Sequence, residues 1–191
     1  MKKILLLLLL TIYSKVSFAQ SSKNNSKSVF IAGVRMSDNN FVDLTEFITG
    51  YLENDFLAMN IPIYNENLAG SILSIKQKWL NSENHIKPSD FTFDSSDKQN
   101  LPSYAIFGTI KFLNRTDIYF YTLEIYSLKE SGSKYIYQKI AGDDFRFTKS
   151  EANKSHSKEF EDKIRTIHIS LGNQLRERWE EKRFASPLSL D

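Results

Sequence analysis

Three consecutive stretches of strand-forming residues constrain the fold of this chain more than any other feature of its sequence. They are SYAIFGTIKFL (103–113), DIYFYTLEIYSL (117–128) and SKYIYQKIAGDDFRF (133–147), and each is rich in β-branched and aromatic residues. Short polar links, NRT and KESG, separate them, and links of this length join neighbouring antiparallel strands. The sequence therefore predicts a three-stranded antiparallel meander.

The segments on either side of the meander have the spacing of helices and buried strands. An apolar run at 28–35 predicts a first strand, and IPIY (61–64) predicts a second one, placed at a sheet edge because of its proline. Apolar residues recur every three or four positions at 41–56, 68–80 and 151–183, which predicts three amphipathic helices. The predicted fold class is α/β (α+β): a single mixed sheet with helices packed on it, in the order β-α-β-α-β-β-β-α.

The amino-terminal residues have the composition of a secretory leader. Two lysines, an apolar run and a small-x-small site ending at Ala19 predict cleavage after that residue. The predicted division of the chain is a signal peptide at 1–19, a flexible tether at 20–27, a single α/β domain at 28–183 and a C-terminal tail at 184–191. Within the domain, the polar stretch 81–102 is long for a connection and is interpreted as an insertion.

Charge and cysteine content exclude several classes of function. The leader holds three of the 25 basic residues and none of the 23 acidic ones, so the mature chain has 22 basic and 23 acidic side chains and a net charge of −1. That balance predicts no nucleic-acid partner. The chain has no cysteine, which excludes a thiolate metal site and a cysteine nucleophile, and predicts that no lipid anchor is attached after leader removal.

No catalytic signature occurs in the sequence. The three histidines, His85, His156 and His168, are not spaced as metal ligands, and there is no glycine-rich phosphate loop or Gly-x-Ser-x-Gly elbow. His168 lies at the rim of the apolar stripe of the last helix, where a hydrogen-bonded interfacial histidine is expected. The sequence therefore predicts a protein that is not an enzyme, with no catalytic residue, no metal and no cofactor.

Aromatic residues crowd two neighbouring strands of the meander. Alternation places Tyr119 and Tyr121 on one face of the sheet and Phe120 on the other. One interpretation is a sheet with one face under the helices and an open, tyrosine-rich face that binds a protein partner. The candidate partner surface consists of Tyr119, Tyr121, Tyr126, Tyr135 and Tyr137. The loop at 83–100 is a second candidate region for partner contacts, and the alternative interpretation of the aromatic strands is a membrane-inserted hairpin at 117–147.

The apolar pattern of residues 28–180 is similar to that of a known family of periplasmic domains. The stretches VFIAGV and MNIPIY, the strand Tyr104–Ile110 with its central Gly108, and Ser131-Gly132 in the hairpin carry the similarity. The chain resembles the α/β domain shared by the curli-secretion lipoprotein, the outer-membrane activators of penicillin-binding proteins and the amino-terminal domain of the Tol-Pal translocation protein. The resemblance implies the fold and the binding of protein partners in the envelope, and it implies no site residue.

Three features depart from that family. The lipid-bearing cysteine of the lipoprotein relatives is missing, the stretch 81–102 is an insertion, and Ser127-Leu128-Lys129 stands where an acidic residue is expected. Gly108 is interpreted as a residue that lets a helix pack closely over the sheet or permits a local twist, rather than one that cradles a ligand.

Together these features predict an exported, non-enzymatic adaptor or accessory protein of a bacterial cell envelope, located in the periplasm or secreted. Its predicted partner is another envelope protein, belonging to peptidoglycan synthesis or to an outer-membrane export machinery. The alternative function is a subunit of an outer-membrane secretion pore.

Overall fold

The structure is a computed structural model that describes residues 28–36, 42–65, 70–81 and 86–185. The strands are β1 Val29–Met36, β2 Thr92–Asp94, β3 Tyr104–Leu113, β4 Ile118–Ser131 and β5 Lys134–Thr148. The helices are α1 Val42–Ala58, α2 Gly70–Asn81, α3 Lys149–Ala152 and α4 Lys158–Ala185. The predicted signal peptide and tether lie outside the described residues.

One mixed sheet organises the described part of the chain. Its strand order is β1-β3-β4-β5-β2, with β1 and β3 parallel and the other pairs antiparallel. Because β3 runs parallel to β1, the chain between them has to cross back over the sheet, and helices make that crossing. The predicted fold class, a single mixed sheet with helices packed on it, is confirmed.

Helices cover both faces of the sheet. The face covered by α1 and α4, here called the α4 face, buries the apolar stripes of these two helices, which include Leu52 and Ile164. The opposite face, here called the α2 face, is partly covered by α2 and by the segment 86–101. Trp79 of α2 packs edge-to-face on Phe107 of β3 in this second core, with ring centroids 4.9 Å apart. The sheet is therefore buried on both sides in the region under α2.

Two glycines accommodate an irregularity in β1. The register of β1 against β3 shifts just before Val34, and Gly33 at this point has φ 93° and accepts a 3.1 Å hydrogen bond from the indole N–H of Trp79. Gly108 lies opposite Val34, and a Cβ at that position would lie 2.7 Å from Cγ2 of Val34 and 3.1 Å from Cδ2 of Leu123. Gly108 therefore makes room for a side chain of the adjacent strand, whereas the sequence interpretation is that it permits close packing of a helix or a local twist.

The predicted second strand at 61–64 is reduced to a single bridge. Ile63 pairs in parallel with Val29 at the outer edge of β1. The backbone N–H of Val29 donates to the carbonyl of Pro62 at 2.9 Å, and the N–H of Tyr64 donates to the carbonyl of Val29 at 2.8 Å. Proline has no N–H to donate, which limits how far a ladder can extend through this segment.

The stretch predicted as an insertion, 81–102, contributes a strand and part of a core. Its strand β2 pairs with the start of β5 and lies between two short 3₁₀-helices, Pro88–Asp90 and Ser95–Asn100. Phe91 and Phe93 from this stretch are buried beneath it in the core of the α2 face. The segment is therefore an integral cover of the sheet.

The predicted last helix, 151–183, is observed as α3 and α4, separated by a turn at 153–157. A capping box starts α3: Oγ1 of Thr148 accepts from the N–H of Glu151 at 3.2 Å, and Oε2 of Glu151 accepts from the N–H of Thr148 at 2.8 Å. Hydrogen bonds from Lys163 and Thr148 lower the pKa of Glu151 to about 2. The capped turn therefore joins the end of β5 to α4.

The outer edge of β5 is only partly paired. Strand β2 pairs with Lys134–Ile136, and the edge of residues 137–148 pairs with no other strand in the described part of the chain. Oδ1 of Asp143 accepts from the N–H of Asp144 at 2.9 Å, and Oδ2 of Asp143 accepts from the hydroxyl of Ser170 at 2.7 Å. Asp143 thus connects α4 to this edge.

Candidate functional site

All five tyrosines of the predicted partner surface are buried. Tyr119 and Tyr121 lie on the α4 face and are 1% and 0% exposed. Tyr126, Tyr135 and Tyr137 lie in the core of the α2 face and are 7%, 8% and 0% exposed. The prediction of an open tyrosine-rich face is therefore wrong for these residues. Alternation assigns only the β4 residues among them to faces of the sheet, and the structure shows that both faces are covered at the positions of all five tyrosines.

The strongest candidate site is an open groove on the α2 face. It has a volume of about 1080 Å³ and begins where α2 and the segment 86–89 end their cover of the sheet. Its floor is formed by side chains of β3 and β4 on the α2 face of the sheet. They include Thr109 and Thr122, which are half-buried. The groove exists because these strands continue beyond the part of the sheet that α2 covers.

Strand register places cations on both sides of β4 at the open end of the groove. Thr109 on β3 lies opposite Thr122 on β4. Two residues further along β3, Lys111 lies opposite Phe120 of β4, and Arg146 of β5 lies opposite Phe120 from the other side. The guanidinium of Arg146 lies over the ring of Phe120, 4.6 Å from its centroid. Neighbouring strands are about 4.8 Å apart, so the Cα atoms of Lys111 and Arg146 are about 10 Å apart across β4.

Arg35 forms the inner wall of the groove. Its guanidinium lies over the ring of Trp79, 3.5 Å from the centroid, and its Nη2 donates to the carbonyl of Ile86 at 3.0 Å. Trp79 is itself fixed by its hydrogen bond to Gly33. These contacts hold the positive charge of Arg35 in a defined position beside Thr109.

The residues that line the groove give it a net positive charge. They include five basic residues, Arg35, Lys87, Lys111, Lys129 and Lys139, and two acidic ones, Glu124 and Glu130. Glu124 forms an ion pair with Lys139 at 2.5 Å and accepts from the hydroxyl of Tyr126 at 2.8 Å. Burial and this hydrogen bond raise the pKa of Tyr126, so the phenol keeps the proton that it donates. Lys111 is exposed and forms no ion pair with any described residue.

A second cluster of polar side chains lies on the α4 face, within the core. Nδ1 of His168 is 2.7 Å from Oδ2 of Asp55, and Nε2 of His168 is 3.1 Å from the hydroxyl of Tyr121. Nε of Arg165 donates to Oδ1 of Asp55 at 3.1 Å. The side chains of His168 and Tyr121 are fully buried, and the arrangement joins α1, β4 and α4. The expected interfacial role of His168 agrees with these contacts.

The environment of this cluster changes the affinity of its members for protons. Burial lowers the pKa of His168 more than the hydrogen bond and charge of Asp55 raise it. Burial would raise the pKa of Asp55, but the hydrogen bonds and charges of His168 and Arg165 outweigh that effect and lower it. Burial raises the pKa of Tyr121 well above its ordinary value. His168 is therefore neutral: its Nδ1–H donates a hydrogen bond to Asp55, and its Nε2 accepts a hydrogen bond from the hydroxyl of Tyr121.

These shifts predict that acid destabilises the fold. Both His168 and Asp55 bind protons more weakly in the folded than in the unfolded chain, so protonation favours unfolding. The contribution of His168 to the free energy of unfolding is complete above its ordinary pKa of 6.5 and is lost as the pH falls through its lower folded pKa. The contribution of Asp55 is complete above its ordinary pKa of 3.8 and is lost in the same way as the pH falls further. The urea midpoint, followed by circular dichroism, should fall between pH 8 and pH 5. The loss should be smaller in a His168→Leu variant, and an equal loss in that variant would contradict the assignment.

The described residues contain no group of three histidine, cysteine, aspartate or glutamate side chains that could hold a metal ion. His156 is exposed and packs edge-on against Phe47 with centroids 4.8 Å apart, His168 is buried, and His85 lies outside the described residues. None of the helices in the described ranges has the length and apolar character needed to cross a bilayer.

Comparisons with known proteins found little similarity. No protein-family model matches the chain, and no curated protein matches it. Among solved structures, a hypothetical protein from Chlamydia trachomatis matches at 14% identity with a TM-score of 0.41, over 81% of this chain and 96% of that one. At this level the likeness carries no argument about fold or function.

Proposed function

We propose that this protein is an exported, non-enzymatic accessory protein of a bacterial cell envelope, in the periplasm or secreted, that acts by binding another envelope protein through the groove on the α2 face. The observation that carries the proposal is the groove itself, where an otherwise covered sheet presents half-buried floor residues between basic side chains. The partner classes implied by the resemblance of residues 28–180 to the periplasmic domain family are the proteins of peptidoglycan synthesis and of outer-membrane export.

The groove replaces the tyrosine surface as the region of partner contact. The five tyrosines are inside the cores, whereas Thr122 on β4 is half-buried and Lys111 on the neighbouring β3 is exposed. Binding a protein in the groove would bury the threonine floor and the aliphatic stems of the lysines while leaving their charged ends in contact with the partner.

Site-specific photo-crosslinking in the native cells tests the proposal. A photoreactive phenylalanine derivative replaces Thr122 on the groove floor, and a control protein carries it at Glu177, which is exposed on α4. We expect ultraviolet light to produce one adduct with an envelope protein from position 122 and none of that size from position 177. The adduct should be in the periplasmic or secreted fraction, and the mature chain should begin at Gln20.

Two results would count against the proposal. If position 177 captures the same protein with the same yield as position 122, the groove is not the contact region. If the protein is retained in the cytoplasm with its leader intact, the proposal of export is wrong. Circular dichroism of both purified variants should match the parent protein, because neither position is in a core.

A further inference from the structure

We propose that the ligand of the groove is an extended, acidic segment of a polypeptide. This inference rests on the proposed function, since it names the chemistry of the partner that would occupy the same groove. It is derived from the arrangement of the charges, which is independent of the argument for partner binding as such.

The groove has two basic banks with β4 between them. Arg35 and Lys111 come from β1 and β3 on one side, and Lys139 and Arg146 come from β5 on the other side. Lys139 lines the groove, and Arg146 continues the bank past the last lining residues. An extended segment lying along β4 would place alternate side chains about 6.7 Å apart, within reach of the long basic side chains on either bank.

The charge of the groove is not balanced from within the described part of the protein. Lys111 and Arg146 form no ion pair with described residues, although Arg146 lies near Asp144 in the sequence. The acidic residues of the lining already have partners, because Glu124 binds Lys139 and Tyr126 and Glu130 accepts from Tyr135. A ligand that supplies carboxylates could form ion pairs with Lys111 and Arg146 without displacing the existing contacts of Glu124 and Glu130.

The polar floor suits a peptide backbone. Thr109 and Thr122 are cross-strand neighbours at the centre of the floor, and their hydroxyl groups can donate to or accept from the peptide groups of a bound segment. The groove is open to solvent over its floor and is closed at its inner end by Arg35 and the segment 86–89, so it fits a segment of a chain that enters from the outer end rather than a fully enclosed small molecule.

The first experiment uses defined probes and the ¹⁵N-labelled mature protein. A short peptide of alternating glutamate and threonine is titrated while amide resonances are followed, and peptides with glutamine or lysine in place of glutamate serve as controls. We expect shifts confined to β3, β4 and β5 around Lys111 and Thr122 with the acidic peptide. The shifts should weaken as ionic strength rises from about 0.01 to about 0.15 M. No shift at millimolar acidic peptide, equal shifts with the glutamine or lysine peptide, or tighter binding of a short oligothymidylate would overturn the inference.

Three variants make the test specific. Lys111→Glu with Arg146→Glu should weaken binding of the acidic peptide by about tenfold or more. Lys154→Glu with Lys158→Glu makes the same change in net charge at exposed positions outside the groove and should leave binding within about twofold. Glu124→Gln releases Lys139 and should strengthen binding. An equal loss in the two double variants would mean that only net charge matters.

The same variants separate this inference from the proposed function. In cells that carry the photoreactive residue at Thr122, the Lys111→Glu and Arg146→Glu changes should abolish the adduct. If the adduct persists undiminished, the groove binds a partner that is not acidic, so the proposed function stands and this inference falls. If no adduct forms even with the native charges, the proposed function fails first, and peptide binding in solution remains a separate result.

Discussion

Replacing His168 by leucine is expected to lower the free energy of unfolding by about 3 kcal/mol. Leucine is close to histidine in size, so the main effect is the loss of two hydrogen bonds. The carboxylate of Asp55 keeps its bond from Arg165 but loses the one from His168, and the hydroxyl of Tyr121 is left in the core without an acceptor. Urea unfolding followed by tryptophan fluorescence and circular dichroism measures the change.

Two further variants calibrate that result. His156→Leu alters an exposed histidine whose main contact is the edge of its ring against Phe47, so its free energy of unfolding should stay within about 1 kcal/mol of the parent value. Tyr121→Phe removes only the hydroxyl and should cost about 1 kcal/mol. If His168→Leu unfolds at the same urea concentration as the parent, the hydrogen bonds around His168 contribute nothing to stability and our description of that cluster is wrong.

Gly108→Ala is expected to cost about 2 kcal/mol of stability. The added methyl group would lie 2.7 Å from Cγ2 of Val34 and 3.2 Å from its Cα, inside the α4-face core. Val34 is β-branched and 1% exposed, so it has little freedom to turn away, and relief requires movement of β1. The same urea unfolding assay measures the loss.

The control for this change is a glycine with open space around it. Gly50 in α1 has no atom within 4 Å of the position of an added Cβ, so Gly50→Ala should raise stability by up to about 1 kcal/mol through helix propensity. Adding Val34→Ala to Gly108→Ala should cost less than the sum of the two single changes, because it removes the clash. Strict additivity of the two costs would show that the contact with Val34 is not the cause.

The sequence predicted the meander and the assignment of its side chains to two faces, because alternation is a local property of a strand. It could not predict which positions are covered. Tyr126 is buried and Thr122 is half-buried on the same face because α2 and the segment 86–101 cover one part of that face and not the other. How far the cover extends depends on where α2 and the segment 86–101 pack on the sheet, which is a tertiary contact and not a local property of the sequence. The stretch 81–102, interpreted as an insertion, did contain a signal for its contribution to the core, since Phe91 and Phe93 have the spacing of a strand with one buried side.

The His168 cluster and the basic residues of the groove could not be predicted as clusters from the sequence, for a different reason. Asp55 and Tyr121 contact His168 across 113 and 47 residues, and no local spacing connects them. The basic banks of the groove are likewise assembled by register, which brings Lys111 and Arg146 to opposite sides of Phe120. Their positions follow only when the pairing of three strands is known.

The hydrogen bonds of Asp143 have a consequence for how the folded protein behaves in a crowded compartment. A long strand with a bare edge is a template onto which another chain can add, and repeated addition leads to fibrous aggregates. Asp143 takes up the N–H of Asp144 and places negative charge where an incoming strand would have to lie, and Ser170 keeps it there. The carboxylate of Asp143 thus joins α4 to the sheet, and it also makes the unpaired edge of β5 less able to start aggregation by strand addition.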